Sequence, residues 1–277
     1  MLNISRSRFV KGFALGLSAS LVLAACGGGS EPTTSEAGDA TSDSAGGTLR
    51  VATEPAFPPF ESQSASGDLE GFDIDLMTAI GEEAGLTVEF ESLPFDGIIP
   101  ALQAGTVDAA ISAITITQER EETVDFSRPY FVAGLAIAVR EDAPEAVASL
   151  EDLENKRIAV QIGTTGAEKA AEIPGATITT FDSAPLALQE LANGNVDAVI
   201  NDAPVTLDAI ASGNLQGLEV VGELLTEEFY GIALPSDSEN VEAVNEALGT
   251  LIENGTYAEI YRKWFDAEPP ELPESAL

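Results

Sequence analysis

An internal repeat constrains the fold of this chain more than any other feature. The segment ALQAGTVDAAISA at residues 101–113 aligns without a gap to ELANGNVDAVIND at residues 190–202, and six of the thirteen positions are identical. In each copy a helix-forming stretch ends at a glycine, an apolar strand follows, and polar residues come where the strand ends. A short match is weak on its own, but the shared order of elements supports it. The repeat predicts two similar lobes that each present a strand end to one cleft.

The rest of the chain alternates apolar strands with stretches of helical periodicity. Strands are predicted at Leu49–Thr53, VEFESL, GLAIAVRE and RIAVQ, and helices separate most of them. This order is typical of an α/β fold with a largely parallel sheet, whose ligands bind at the carboxyl ends of the strands. Two helices are predicted near the C-terminus, Val241–Glu253 and Thr256–Phe265, with Thr256 as the N-cap of the second.

The position of those last helices predicts the domain organisation. If they pack on the first lobe, the chain crosses between the lobes twice, near residues 130–134 and 226–230, and two crossings form a hinge. The predicted parts are lobe 1 at residues 48–130 and 230–268, lobe 2 at 131–229 with hinge strands at both ends, and a C-terminal tail at 269–277.

The N-terminus is typical of a targeting segment. Arg6, Arg8 and Lys11 precede an apolar stretch, and Cys26 follows Leu-Ala-Ala. This resembles a bacterial lipoprotein signal, which predicts a signal peptide at residues 1–25, lipidation of Cys26 and a flexible acidic tether through residue 47. The alternative is a membrane-spanning anchor, but the apolar run is short for one. Because Cys26 is the single cysteine, an internal disulfide is excluded.

Composition excludes several functions. The net charge of -35 argues against nucleic-acid binding, which needs a basic face. The chain has no histidine, so a histidine-based triad and a histidine-ligated zinc site are excluded. Neither GxxxxGK[ST] nor GxGxxG occurs, and no cofactor or metal is expected. The 44% of hydrophobic residues are enough for a folded core.

Arg120 is the candidate anion-binding residue. It lies in ITITQER, where Thr117 can cap a short helix and the guanidinium would lie beside the end of a buried strand. There it can bind a carboxylate with two parallel hydrogen bonds, although an internal ion pair is the structural alternative. The hydroxyl of Thr115 faces the same place, and the turn at residues 163–166, which contains Thr164 and Thr165, can add backbone N–H groups.

Other residues complete a set suited to a zwitterion. Asp202, at the end of the second repeat, can accept an ammonium group, and Phe57 with Phe95 can enclose the apolar part of a ligand. Each has a structural alternative, since Asp202 can cap the next helix and the phenylalanines can belong to the core. Together they fit one small ligand.

Several motifs resemble a known family. The segments VATEPAFPPFE, GFDIDL, ITITQERxxxVDFSRPY, GTTG, VINDAPV and NGTYAEIYRKWF are similar to those of the polar amino-acid-binding proteins of ABC importers, the family-3 solute-binding proteins. The resemblance covers roughly Thr48–Phe265 and implies a type II periplasmic-binding-protein fold with two hinge crossings and the ligand in the cleft between the lobes. It implies that Arg120, Thr115 and the Thr165 backbone hold the α-carboxylate. For the α-ammonium group it implies Asp202 with groups at Ser112 and Ala113.

Four positions depart from the family pattern at the side-chain end of the ligand. Glu54 stands where glutamine and basic-amino-acid binders commonly have Asp, and Ala113 offers only its backbone where basic-amino-acid binders have Ser. Gln161 replaces a Lys of glutamine binders, and Asn201 precedes Asp202 where they have His. These residues favour a polar side chain, amide or cationic, and leave its identity open.

The resemblance predicts a lipid-anchored, monomeric, extracytoplasmic receptor that closes on a free L-amino acid and delivers it to a membrane permease. Two alternatives are open. One is a dehydratase acting on arogenate or prephenate, because such enzymes are similar to this fold, with Glu54 or Asp202 as a general acid. The other is a ligand-sensing module, although the chain shows no second membrane helix or signalling domain.

Overall fold

A computed structural model describes residues 47–143, 147–213 and 215–276. The predicted signal peptide, Cys26 and all of the tether except Gly47 lie outside these ranges. Within them, no helix is both long enough and apolar enough to cross a bilayer.

The chain forms fifteen strands in these ranges: β1 Thr48–Thr53, β2 Ala56–Phe57, β3 Glu61–Gln63, β4 Leu69–Glu70, β5 Thr87–Ser92, β6 Ala109–Ala110, β7 Val124–Phe126, β8 Phe131–Ala133, β9 Leu135–Arg140, β10 Arg157–Gln161, β11 Thr177–Phe181, β12 Ala198–Asp202, β13 Leu218–Val221, β14 Glu228–Tyr230 and β15 Ala233–Pro235. Its α-helices there are α1 Phe72–Ala84, α2 Phe95–Gln103, α3 Gln118–Glu121, α4 Thr165–Ala171, α5 Ala184–Ala192, α6 Ala203–Ala211, α7 Asn240–Asn254 and α8 Thr256–Phe265.

Two five-stranded sheets form the centres of two lobes. The first has the order β5-β1-β6-β15-β7, and the second has the order β11-β10-β12-β9-β13. In each, the three strands named first are parallel, and the strands next to them run antiparallel. The predicted α/β fold of two lobes is confirmed, and four of the five strands in each sheet run in one direction, with β15 and β9 as the antiparallel strands. The antiparallel strands are those by which the chain enters lobe 2 or returns to lobe 1.

The repeat corresponds to equivalent parts of the two sheets. Residues 101–113 include β6 and residues 190–202 include β12, which occupy the same place in their trios. The repeated aspartate pairs in each copy with an arginine at the start of the central strand. Asp108 Oδ1 lies 2.8 Å from Arg50 Nη2, and Asp197 Oδ1 lies 2.6 Å from Arg157 Nη2. The identical aspartates are therefore explained by the fold.

Two short strands connect the lobes. β8 and β14 pair antiparallel, with Phe131 opposite Tyr230. The Phe131 and Tyr230 rings are stacked with centroids 5.6 Å apart, and both contact Phe60 edge-on. These aromatic contacts pack the crossing strands against lobe 1. The predicted residue limits of the lobes remain predictions.

The C-terminal helices differ in one detail from the sequence prediction. Gly255, with φ 89°, is the N-cap of α8, and Thr256 is the first helical residue, so the predicted cap at Thr256 is wrong. Only one residue separates the two helices, and it must both end α7 and begin α8. The Asn254 side chain accepts the Thr256 N–H at 2.9 Å instead. The N-cap at Thr117 is confirmed, since its hydroxyl accepts the Arg120 N–H at 3.2 Å.

Candidate ligand-binding site

The carboxyl ends of the central strands of both lobes meet around a cavity. It has about 270 Å³ of space not filled by atoms, counted together with the open solvent at its mouth. Nine side chains line it, and all nine belong to the twelve that the sequence analysis names: Phe57, Phe95, Ala113, Thr115, Arg120, Gln161, Thr164, Thr165 and Asp202. The other three, Glu54, Ser112 and Asn201, are buried but do not line it.

Arg120 links the two lobes at one end of the cavity. Its Nη1 donates to the Thr115 carbonyl at 2.7 Å, and its Nη2 donates across the cleft to the Gly163 carbonyl at 3.0 Å. The guanidinium carbon lies 5.6 Å from the centre of the Phe95 ring. None of the ion pairs within the described ranges involves Arg120, so the alternative of an internal ion pair is not observed there. Burial lowers the pKa of Arg120 from its ordinary value, and the guanidinium stays a cation at neutral pH.

Two threonine hydroxyls near Arg120 bind a carboxylate of the protein itself. Thr115 of lobe 1 and Thr165 of lobe 2 both donate to Glu228 Oε2, at 2.8 Å and 3.1 Å. Thr226 donates to the other oxygen at 3.1 Å. Because each hydroxyl has one proton, neither threonine can donate to a ligand while it donates to Glu228. In this structure the Thr115 hydroxyl is therefore not available for the α-carboxylate contact that the resemblance implies.

Asp202 lies at the end of β12 and at the N-cap of α6. Its side chain makes no capping bond to the helix and instead accepts the Tyr230 hydroxyl at 2.6 Å. Burial raises the pKa of Asp202 to about 7, and the Tyr230 hydrogen bond and the Arg120 charge only partly oppose this. A cationic group entering the cavity would favour the ionised form. The placement suits an ammonium partner better than a structural cap.

Glu54 and Gln161 meet across the cleft at the other end. Gln161 Nε2 donates to Glu54 Oε2 at 2.8 Å, and the Glu54 N–H donates to Ser112 Oγ at 3.0 Å. Burial raises the pKa of Glu54 to about 7, and the Gln161 hydrogen bond acts in the opposite direction. Gln161 Oε1 is buried without a hydrogen-bond partner among the described residues. This end therefore offers two acceptors to a ligand that carries donors.

Two carboxyl groups that sequence reasoning missed lie behind Ser112 and Ala113. Ala113 has φ 47°, a conformation that costs energy outside glycine, and its N–H donates to Asp73 Oδ2 at 2.8 Å. Ser112 Oγ donates to Glu61 Oε1 at 2.8 Å. Neither acid could be found by strand-end reasoning, since one lies on β3 and the other in α1. Their place in the resemblance motifs was the only available signal.

The remaining predicted residues have mixed positions. Asn201 Nδ2 donates to Thr206 Oγ1 at 3.2 Å, which directs the amide toward α6. Phe57 both lines the cavity and belongs to the core of lobe 1, and Phe95 is partly buried against a second core cluster. The Thr164 hydroxyl accepts the Ala167 N–H at 3.2 Å, which makes Thr164 the N-cap of α4.

This arrangement suits a zwitterion held between lobes. The Arg120 guanidinium lies on one lobe and the Asp202 carboxyl group on the other. Every amino acid carries a carboxylate and an ammonium group, and these can pair with a guanidinium and a carboxylate. Two lobes joined by a pair of antiparallel strands and closing on such a cavity define a two-lobed amino-acid-binding protein.

Comparison with known proteins places the chain within that class. Residues 49–267 match the model of the bacterial extracellular solute-binding proteins, family 3, and the chain belongs to this family. It is 35% identical to a probable histidine-binding protein of Neisseria gonorrhoeae over 254 residues, 90% of this chain and 92% of that one. The protein accordingly captures an amino acid outside the cytoplasm for an ABC importer.

Solved structures support the same assignment. An ancestral arginine-binding protein bound to arginine superposes with a TM-score of 0.76 and is 45% identical, covering 80% of this chain and 99% of that one. An ancestral arginine-binding protein bound to glutamine is likewise 45% identical, with a TM-score of 0.76 over 79% of this chain and 98% of its own. A third neighbour, 42% identical with a TM-score of 0.73 over 79% of this chain and 95% of its own, is an ancestral amino-acid-binding protein described as a precursor of cyclohexadienyl dehydratase. That neighbour is itself a binding protein, so the comparison gives the dehydratase alternative little support.

Proposed function

We propose that the ligand is an L-amino acid with a cationic side chain, arginine first among them. The carboxyl group of Glu54, which is bound to the cavity-lining Gln161, carries this proposal. Glu228, a further carboxylate near Arg120, already accepts the hydroxyls of Thr115, Thr165 and Thr226. The α-carboxylate of an amino acid uses Arg120 and its ammonium group uses Asp202, which leaves the Glu54 carboxyl group unmatched at the far end. A ligand whose side chain is a cation supplies the missing positive charge.

The side-chain end of the cavity also offers two hydrogen-bond acceptors, one oxygen of Glu54 and one of Gln161, to which a guanidinium can donate. Glu54 Oε2 already accepts from Gln161, and Gln161 Oε1 is buried without a donor among the described residues. A buried acceptor without a partner is unfavourable, and a guanidinium carries five N–H donors in a planar fork. Phe57 and Phe95 also line the cavity, and a guanidinium can stack on an aromatic face.

Closure of the two lobes would supply the affinity. Arg120 and Gln161 each donate a hydrogen bond across the cleft, to Gly163 and Glu54. Closing over a ligand removes water from these charged groups and strengthens their interactions with it. The permease would then recognise the closed shape.

The test is a thermal-shift screen against the twenty amino acids, followed by calorimetry with L-arginine, L-lysine and L-glutamine. A ligand that binds only the folded state raises the melting temperature. We expect the cationic amino acids to give the largest shifts. A larger shift with an aliphatic amino acid would refute the proposed ligand class while leaving the family assignment in place.

Arg120→Ala tests the carboxylate role. Losing one partner of a buried charged pair costs about 2 to 5 kcal/mol, so binding should weaken by at least about 30-fold. Arg262→Ala is the matched control, because Arg262 pairs with Glu268 on the exposed face of α8. Equal affinity of the two variants would show that Arg120 does not hold the ligand.

We further propose that the protein is anchored through a lipid on Cys26, acts as a monomer and returns its ligand unchanged. The support for the anchor is the sequence pattern at residues 1–26, which lies outside the described residues. Cys26→Ser should release the protein from the membrane fraction and abolish incorporation of labelled palmitate. Incubation with arogenate or prephenate should give no aromatic product.

A further inference from the structure

Two carboxyl groups lie fully buried behind the cavity and are not used in the binding described above. Glu61 on β3 and Asp73 in the first turn of α1 each have 0% exposure. None of the ion pairs in the described ranges involves either of them. Two adjacent buried carboxylates without a cation would be very unfavourable, so their protonation needs an explanation.

Counting donors and acceptors locates one missing proton. Glu61 Oε1 accepts from Ser112, and Asp73 Oδ2 accepts from the Ala113 N–H and the Tyr130 hydroxyl, at 2.8 Å in all three cases. The two remaining oxygens, Glu61 Oε2 and Asp73 Oδ1, are buried and have no donor among the described residues. The Asp73 N–H donates to the carbonyl of Phe60, the residue before Glu61, at 2.9 Å, and the Asp73 charge raises the pKa of Glu61, so the two carboxyl groups are neighbours. A hydrogen bond between two carboxyl oxygens requires a proton on one of them.

The groups that face the pair favour this protonation. The Tyr130 hydroxyl donates to Asp73 and the Glu54 charge acts on Glu61, so the surroundings supply a neutral donor and a further acid. The Tyr230 and Tyr257 hydroxyls donate elsewhere, to Asp202 and to the Tyr130 carbonyl. Burial, followed by the Asp73 charge, raises the pKa of Glu61 well above its usual range. Burial raises the pKa of Asp73 to about 6, and the hydrogen bonds from Ala113, Tyr130 and Glu61 oppose this. Glu61 is therefore the proton donor and Asp73 the anion at neutral pH.

We propose that Glu61 and Asp73 share one proton between Oε2 and Oδ1, and that this pair is a positioning device for the ammonium end of the ligand. The second half of the proposal rests on the proposed function. Asp73 holds Ala113 in its φ 47° conformation through the N–H. Glu61 accepts the only proton of the Ser112 hydroxyl, so Ser112 Oγ can act solely as an acceptor, toward the Glu54 N–H and the ligand.

The shared proton predicts a pH dependence with a definite sign. The pKa of Glu61 is raised in the folded protein, so its favourable contribution is present at low pH and is lost as the pH rises through the raised pKa. Losing the proton leaves two buried anions in contact. Affinity and stability should then fall together on the alkaline side.

A double-mutant cycle tests the pair with Glu61→Gln, Asp73→Asn and the double variant, using urea unfolding without ligand and calorimetry with L-arginine. In either single variant one amide N–H replaces the shared proton, so we expect affinity within about fivefold of the parent protein. The double variant places two NH₂ groups against each other and leaves a buried donor unpaired. Its affinity loss should exceed the product of the two single effects by about tenfold or more, with a matching non-additive loss of stability.

The alkaline profile supplies a readout that a purely structural role would not change. As the pH rises above the ordinary pKa of glutamate toward the raised pKa of Glu61, the parent protein should lose stability relative to Glu61→Gln, which has no proton to lose there. Asp202 titrates in both proteins and cancels from the difference; because the Glu54 charge acts on Glu61, the comparison is repeated in a Glu54→Gln background. The control cycle combines Glu61→Gln with Asp108→Asn, because Asp108 is an ionised partner of Arg50 with a lowered pKa. That cycle should be additive.

The outcomes separate this inference from the proposed function. Additive effects in the Glu61 and Asp73 cycle, or a constant stability difference across pH, would overturn the shared proton. A non-additive cycle in unfolding with unchanged affinities would overturn the positioning role. If the parent protein binds no amino acid, the proposed function fails, whereas the unfolding cycle still decides whether the proton is shared.

Discussion

Arginine binding should depend steeply on pH, because two buried acids must ionise to receive it. The carboxyl groups of Glu54 and Asp202 each have a pKa raised to about 7 by burial in the closed cavity. In the proposed complex Glu54 receives the side-chain cation and Asp202 the ammonium group. Their protonated forms favour the closed protein without ligand below pH 7, and that contribution is lost as the pH rises through 7. Binding a cation follows the opposite trend and strengthens over the same window.

The expected size follows from the two titrations. A group with a pKa of 7 is ionised to about 9% at pH 6 and about 91% at pH 8, a tenfold change in competent protein. Two such groups give about 100-fold weaker arginine binding at pH 6 than at pH 8, or about 2.7 kcal/mol. Glutamine needs only Asp202 ionised, so its affinity should change about tenfold. Glu54→Gln should reduce the arginine dependence to that of glutamine.

Calorimetry at pH 6, 7 and 8, in two buffers with different ionisation enthalpies, measures both affinity and proton release. Arginine should release up to two protons near pH 6 and glutamine up to one. Equal pH slopes for the two ligands would refute the role of Glu54. A flat profile for both would show that neither acid changes its ionisation on binding.

Three further predictions concern neighbouring groups. Tyr230→Phe removes the hydrogen bond that lowers the pKa of Asp202, so amino-acid affinity at pH 7 should fall several-fold and recover toward pH 9 in calorimetry; a pH-independent loss would contradict this. Glu228→Gln removes a negative charge from the carboxylate end of the cavity and should tighten binding several-fold; weaker binding would show that the charge helps closure. Gly166→Ala would bring a methyl group to 2.8 Å from the Ile200 carbonyl oxygen, and urea unfolding should show a loss of about 1–3 kcal/mol; unchanged stability would contradict the close packing.

The sequence predicted the residues that line the cavity better than the buried acids that hydrogen-bond to those residues. The lining side chains follow strand ends or a polar turn, and both are local patterns that a resemblance can align. Glu228 was missed because its role arises where a hinge strand passes between Thr115 and Thr165, which are 50 residues apart in the sequence. Asp73 was missed because a charged residue on an amphipathic helix usually faces water.

Two smaller differences have the same origin. The Asn201 amide bonds to Thr206, because the next helix begins directly after Asp202 and offers a nearby hydroxyl. The α8 cap is at Gly255, since the helices are too close for two separate capping residues. In each case a short-range rule was overridden by the proximity of the next element.

The matched Arg–Asp pairs of the two sheets have a consequence for how the site distinguishes one end of a ligand from the other. Because Asp108 and Asp197 occupy equivalent positions, the strand ends that follow them are equivalent too, and Ala113 corresponds to Asp202. In lobe 1 Ala113 contributes only its backbone, which has φ 47°, whereas in lobe 2 Asp202 contributes a carboxyl group. The two lobes are thus built alike but end in different residues, Ala113 in one and Asp202 in the other. This difference lets two similar lobes hold a ligand with unlike ends in one orientation.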